Sequence, residues 1–233
     1  MLSALRNRLV LRLSIGATIL SCLAVTSDEG QSPPPFFAGA IAGISTLSAD
    51  ARSEVTPGEV AVSLYKPENG PALNLLFGVH LHEYVAVQAN YIWNRNDVAL
   101  TSARATAVGS FVYEQPRTSA QHAIVGDLLV YFRERRSRVR PYLSAGVGVV
   151  MLEIRAGAEG RARNVIAPLA ESQATRALLR VAVGMDVAVG RGWSARYSFS
   201  EGVSGNPISA QLSPPGQRGL ANFQNLFGVV RAF

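Results

Sequence analysis

Few residues in this chain could do chemistry, and their spacing limits what chemistry that is. Arg196-Tyr197-Ser198-Phe199-Ser200-Glu201 gathers two hydroxyls and a carboxylate, the raw material of acyl transfer. A serine nucleophile needs a base beside it, and Arg196 keeps its proton at neutral pH. His122, near Ser119, is the histidine outside the short turns. A dyad of His122 with Ser198 would require two distant segments to meet. His80 and His82 share a face at strand spacing, with Glu83 next to them. Two ligands without a third His or Cys make a weak metal site, so this stretch is read as a turn. No catalytic residue, cofactor or metal is expected.

The remaining charges read as structural. Asp127, Arg140, Arg180, Asp186 and Arg196 fall on the polar rows of alternating stretches. A charge inside a protein must be paired or wetted, so these five are expected to form an internal charge network. Five arginines crowd into Arg133-Glu134-Arg135-Arg136-Ser137-Arg138-Val139-Arg140, which in isolation looks like a nucleic-acid patch. The whole-chain balance argues otherwise. The formal net charge is +6, but Arg6, Arg8 and Arg12 precede every acidic residue. From Asp28 onward 19 basic residues face 16 acidic ones, a net of +3. That is too small to indicate nucleic acid as a partner. The run is read as a turn facing anionic lipid headgroups.

Composition narrows the class. The 233 residues are 48% hydrophobic and only 16% charged, against about 25% charged in an ordinary soluble domain. Disorder is excluded, since a disordered chain is poor in apolar residues and rich in charge. Twenty-one Gly and 12 Pro beside a single Lys speak against a helical bundle. One Cys excludes a disulfide framework and a Cys-based zinc site.

Residues 1–27 read as a helical secretory signal. Arg6, Arg8 and Arg12 form its basic start, Leu13 to Val25 its uncharged apolar stretch, and Thr26-Ser27 its cleavage zone. Ile19-Leu20-Ser21-Cys22 offers a rival, a lipoprotein box with acylation at Cys22, although the apolar run continues past the Cys. Residues 28–35 would be a short periplasmic lead and 36–233 a single domain.

The elements that must position these residues are strands. Apolar residues recur with period two, the mark of a strand with two different faces. Leu143, Ala145, Val147, Val149 and Met151 alternate with Tyr142, Ser144, Gly146, Gly148 and Val150. Val181, Val183, Met185, Val187 and Val189 alternate with Arg180, Ala182, Gly184, Asp186 and Ala188. Eight such segments occur, starting near Phe36, Leu73, Val85, Ala123, Val139, Leu179, Trp193 and Asn222. Long links rich in Pro, Gly, Ser and charge cover roughly 46–72, 95–120, 154–176 and 201–221. Short links sit at 82–84, 134–138 and 190–192. This strict alternation predicts an up-and-down antiparallel sheet. Gly190-Arg191-Gly192 is expected as a three-residue hairpin with Val189 opposite Trp193, which would put Asp186 opposite Arg196.

The polar rows decide which way the strands face. They hold Gly, Ala and Ser with isolated charges, where a water-facing row would carry Lys, Glu and Thr. Small residues with single charges suit the cramped lumen of an eight-stranded barrel. Met, Val, Leu and aromatic residues on the other row suit lipid and its interfaces. The expected fold is all-β: an eight-stranded antiparallel up-and-down transmembrane β-barrel.

At this point the residues resemble a family. Arg140-Pro141-Tyr142-Leu143-Ser144-Ala145-Gly146-Val147-Gly148 is similar to a strand of small OmpA/OmpX-like outer-membrane barrels, and the resemblance covers residues 36–233. Phe227, Val229 and Phe233 resemble the terminal-strand signal read by the outer-membrane assembly machinery, with Arg231 standing where an apolar residue is usual. The resemblance implies a bacterial outer-membrane location and a monomer without the OmpA-type peptidoglycan-binding domain. It also implies contact with lipids and lipopolysaccharide, and an extracellular partner that the family leaves open. A structural or surface-interaction role, in adhesion or envelope integrity, is expected first and a narrow pore for small solutes second. A lipid A-modifying enzyme comes third, since the deacylase pattern has a His where Arg196 stands.

Overall fold

The computed structural model describes residues 35–156, 172–207, 212 and 214–233, without the side chains of Phe111, Tyr113 and Gln115. The expected signal, residues 1–27, and nearly all of the 28–35 lead lie outside the described residues, as does much of the third long link.

Ten strands follow one another: β1 (Phe36–Leu47), β2 (Asp50–Thr56), β3 (Glu59–Pro67), β4 (Gly70–His80), β5 (Val85–Thr106), β6 (Gly109–Tyr131), β7 (Val139–Ala156), β8 (Ser172–Gly190), β9 (Trp193–Gly205) and β10 (Gly219–Ala232). Eight of them, β1 and β4 to β10, pair in an antiparallel ring closed by β5 on β6 and β1 on β10. The pairing can be followed once around. Phe37 meets Gly78, then Gln88, Asp127, Gly146, Arg180, Gly202 and Asn222. Asn222 then meets Leu47, ten residues beyond the starting point on β1. Eight strands with a stagger of ten residues give a tilt of about 40° and a lumen that side chains can fill.

Facing follows the expected alternation. Leu143, Val147, Met151, Val181, Met185 and Val189 are exposed on the outer wall, while Tyr142, Arg180 and Asp186 are buried in the lumen. Outward Val147 is 66% exposed and inward Arg196 2%, so the two rows differ in environment as well as in composition. Phe36, Phe77, Phe132, Trp193 and Phe233 ring the short-turn end of the outer wall. Tyr91, Trp93 and Phe199 stand toward the other end. Aromatic rings bracketing an apolar band are what the two interfaces of a bilayer select.

Two long links depart from expectation. The spans 46–72 and 95–120 are largely strand. Pro57-Gly58 turns β2 into β3, with Gly58 at the positive φ of 82° that a Pro-Gly turn requires. β5 and β6 continue as one ribbon to the pair Thr106–Gly109. β3 adds to β5 along Glu59–Pro67, above the region where β5 pairs with β4. The result is a four-stranded sheet standing on the barrel. At 22 and 23 residues, β5 and β6 are far longer than the 9–11 residues that cross a bilayer.

The alternation also inverts along these strands. Tyr91 and Trp93 face outward among apolar neighbours, but the next outward residues are Arg95 and Asp97, while Val98 and Leu100 turn inward. On β7, outward Val149 and Met151 give way to Glu153 and Arg155, and Leu152 and Ile154 fill the inside. On the outside, the side chains change from apolar to charged. Inside, a second apolar core forms from Leu47, Tyr65, Leu100, Leu152, Leu212 and their neighbours.

The third short link is also tighter than expected. Gly190 pairs with Trp193, leaving Arg191 and Gly192 as a two-residue turn with φ of 51° and 79°. Both central residues at positive φ match a type I′ hairpin, whose twist suits the flanking strands. The extra residue is absorbed by an irregularity between Ala188 and Gly190, so Asp186 still lies opposite Arg196.

Candidate functional site

The inward charges assemble at two levels of the lumen. On the lower level Arg196 of β9 donates from Nε to Asp186 Oδ1 at 2.6 Å and from Nη2 to Oδ2 at 2.6 Å. Its Nη1 donates to Gln88 Oε1 at 2.6 Å, and Nη2 also reaches the Tyr131 hydroxyl at 3.0 Å. Tyr131 in turn donates to Asp186 Oδ2 at 3.2 Å. Bidentate Arg–carboxylate bonds are strong and directional. The rings of Phe37 and Tyr142 lie 5.4 and 5.1 Å from the guanidinium carbon.

One level higher, Arg180 of β8 pairs with Asp127 of β6 across β7. The residue between them is Gly146, paired with Asp127 on one side and Arg180 on the other. A Cβ there would collide with Asp127 Oδ1, so only glycine lets the two charges meet over the intervening strand. Gln88 joins the levels. Its Nε2 donates to Asn90 Oδ1 at 2.6 Å, and Asn90 Nδ2 donates to Asp127 Oδ2 at 3.1 Å. Four of the five expected charges therefore lie on one connected path, Asp186–Arg196–Gln88–Asn90–Asp127–Arg180. Arg140 does not. It sits at the short-turn mouth, 3.8 Å over the Tyr131 ring, and donates to the Glu83 carbonyl. Sequence reasoning missed the amide links Gln88 and Asn90, although both stand on the inward row of β5.

This packing leaves little free lumen. At the level of Gln121, Arg180, Asn222 and Gln224 the cavity measures about 20 Å³, roughly the room of one water. Above it, the described residues Leu212 and Pro214 to Gln217 of the link between β9 and β10 pack against β2, β3 and the upper core. Ser63 donates to the Pro214 carbonyl at 2.6 Å, Asp50 accepts from the Gln217 amide, and Leu212 is buried in the upper core. Burial there also raises the Tyr65 hydroxyl pKa above its ordinary value.

Just above the apolar band the outer wall carries a charged collar. Arg95, Asp97, Thr118, His122, Glu153 and Arg155 line a cleft of about 780 Å³ beside Trp93. Thr118 bonds Asp97 at 3.1 Å. The hydrogen bond from Arg155, aided by Gln173, holds the Glu153 carboxyl below the usual carboxylate range.

The nucleophile candidates do not converge. Ser198 and Ser200 are buried in the lumen, whereas His122 lies on the outer wall and bonds the Tyr91 hydroxyl at 2.8 Å. The barrel wall separates them. His80 is packed against the rings of Phe37 and Tyr131, and His82 lies in the turn beside Tyr84. Phe227, Val229 and Phe233 face outward on and just beyond β10.

This barrel has solved counterparts. Neisserial surface protein A is 15% identical over 87% of this chain and all of its own, with a TM-score of 0.50. The fold is that of the small outer-membrane β-barrels. OprG from Pseudomonas aeruginosa is 12% identical over 86% of this chain and 97% of its own, with a TM-score of 0.46. Ail, the attachment invasion locus protein of Yersinia pestis, is 8% identical over 85% and 99%, with a TM-score of 0.44. No protein-family model and no curated protein sequence matches the chain. An exposed apolar band bounded by aromatic rings, with a charged collar above it, is the wall pattern of a barrel that crosses a bilayer.

Proposed function

We propose that this outer-membrane barrel is a surface-interaction protein. It presents the sheet of β2, β3 and the upper halves of β5 and β6 to a partner outside the cell. The observation that carries this reading is the contrast between lumen and exterior. The lumen is filled by the Arg196 and Arg180 networks with Leu212 packed into the core above them, while two strands run far past the bilayer and are joined there by β3 and β2. A structure built for transport would keep its interior open. In this reading the short turns face the periplasm and the collar meets the lipopolysaccharide of the outer leaflet. Phe227, Val229 and Phe233 serve assembly, and the barrel works as a monomer without catalysis.

The test is a trimmed barrel in which 50–67 and 97–118 are replaced by short turns. Heat-modifiable gel mobility reports whether it assembles. Cells carrying the full barrel should adhere to surfaces or to one another, and cells carrying the trimmed barrel should not. Equal adherence by both would overturn the proposal. So would ion conductance of the full barrel in planar bilayers, or a change in lipid A mass when it is expressed.

A further inference from the structure

The outward row of β10 carries a cation where lipid contact selects apolar side chains: Arg231, between Val229 and Phe233. Its guanidinium carbon lies 5.4 Å from the ring of Trp193, its partner on β9. Among the described residues it has no acidic partner. Beside it the outer wall opens into a groove of about 600 Å³. Ala38 and Ala40 of β1, which pair with Arg231 and Val229, keep the floor low, and Trp193 and Phe233 stand at the groove's edges. The groove lies at the short-turn rim, where Arg133, Arg136, Arg138 and Arg191 are exposed. Among the described residues the two acids of that rim are engaged. Glu83 accepts from the Arg135 amide at 3.0 Å, and Glu134 accepts from the Tyr84 hydroxyl at 3.3 Å.

We infer that this groove binds one anionic glycerophospholipid of the leaflet on the short-turn side, an acyl chain lying over Ala38, Ala40 and Val229 and the phosphate on Arg231. An arginine on the lipid wall is tolerated near an interface, where its head reaches the phosphate layer. There it makes charge-assisted bonds to phosphate oxygens. A zwitterionic lipid brings its own cation next to the phosphate and offers Arg231 less net charge. The exposed arginines of the rim add a field of the same sign. The residue that breaks the apolar pattern of the last strand thus has a use in the folded barrel.

The chain has two tryptophans, so Trp93→Phe leaves Trp193 as the reporter. This variant is reconstituted in phosphatidylcholine vesicles with increasing phosphatidylglycerol, either lipid being brominated to quench a neighbouring indole. Quenching of Trp193 should show preference for phosphatidylglycerol of about fivefold. Adding Arg231→Gln should lower it to the small preference that the field of the rim alone produces, and adding Ala40→Phe, which fills the floor but keeps the cation, should also lower it. Inorganic phosphate at constant ionic strength should leave quenching unchanged, separating a lipid site from a site for free phosphate. Gel mobility confirms that each barrel is folded. Parity of the two lipids at Trp193 in the Trp93→Phe barrel, a preference undiminished by Arg231→Gln, or displacement by inorganic phosphate would each overturn the inference.

Discussion

Removing either member of the Asp186–Arg196 pair should do more harm than its share of removing both. Arg196 makes four hydrogen bonds of 2.6–3.0 Å to Asp186, Gln88 and Tyr131, and is almost wholly buried. Asp186→Ala leaves a guanidinium with two neutral partners. Arg196→Ala leaves a carboxylate with the Tyr131 hydroxyl alone. Breaking one side of a buried ion pair destabilises by about 3–5 kcal/mol, because an uncompensated charge stays behind. The double variant leaves no charge and only neutral Gln88 and Tyr131, so about 2–4 kcal/mol is expected rather than the sum of the singles. The coupling, the sum of the two singles less the double, should therefore be about 5 kcal/mol. Urea unfolding in phospholipid vesicles, with the folded fraction read by gel mobility, measures all four barrels. Losses that add to within about 0.5 kcal/mol would refute the claim that the two groups stabilise each other in the lumen.

Three further outcomes follow from the same geometry. Val183→Arg puts a cation on the outward face of β8, where Val183 is exposed, and should destabilise the vesicle-embedded barrel by about 2–4 kcal/mol in urea titration, whereas inward Ser198→Ala should lose less. Gly146→Ala should disrupt the Arg180–Asp127 pair by steric collision with Asp127, and an added Asp127→Ala should then cost almost nothing more in the same titration. Leu212→Ala should weaken the hold of the upper core on this residue, read as faster proteolytic nicking between 206 and 218 on intact cells, while heat-modifiable mobility of the barrel stays unchanged.

The eight wall strands could be read from the sequence because one physical rule governs them. A wall between lipid and a packed lumen imposes alternation, and Val139 to Met151 or Leu179 to Val189 obey it without interruption. The upper halves of β5 and β6 obey the rule with its sign reversed. Past Trp93 the outward residues Arg95 and Asp97 are charged and the inward Val98 and Leu100 apolar, because water replaces lipid outside while protein fills the inside. A search for one continuous phase sees a break there and reads a loop, so the inversion itself is the sign that a strand has left the membrane. The lumen pairs divide along similar lines. Asp186 and Arg196 flank a short turn, and that turn with the irregularity between Ala188 and Gly190 sets their register. Asp127 and Arg180 are two strands apart, and their meeting depends on the registers of both β6–β7 and β7–β8 and on the missing side chain at Gly146. A single hairpin cannot encode that contact. A glycine on the inward row, between strands that each carry a lone opposite charge, is the local signature that could have revealed it.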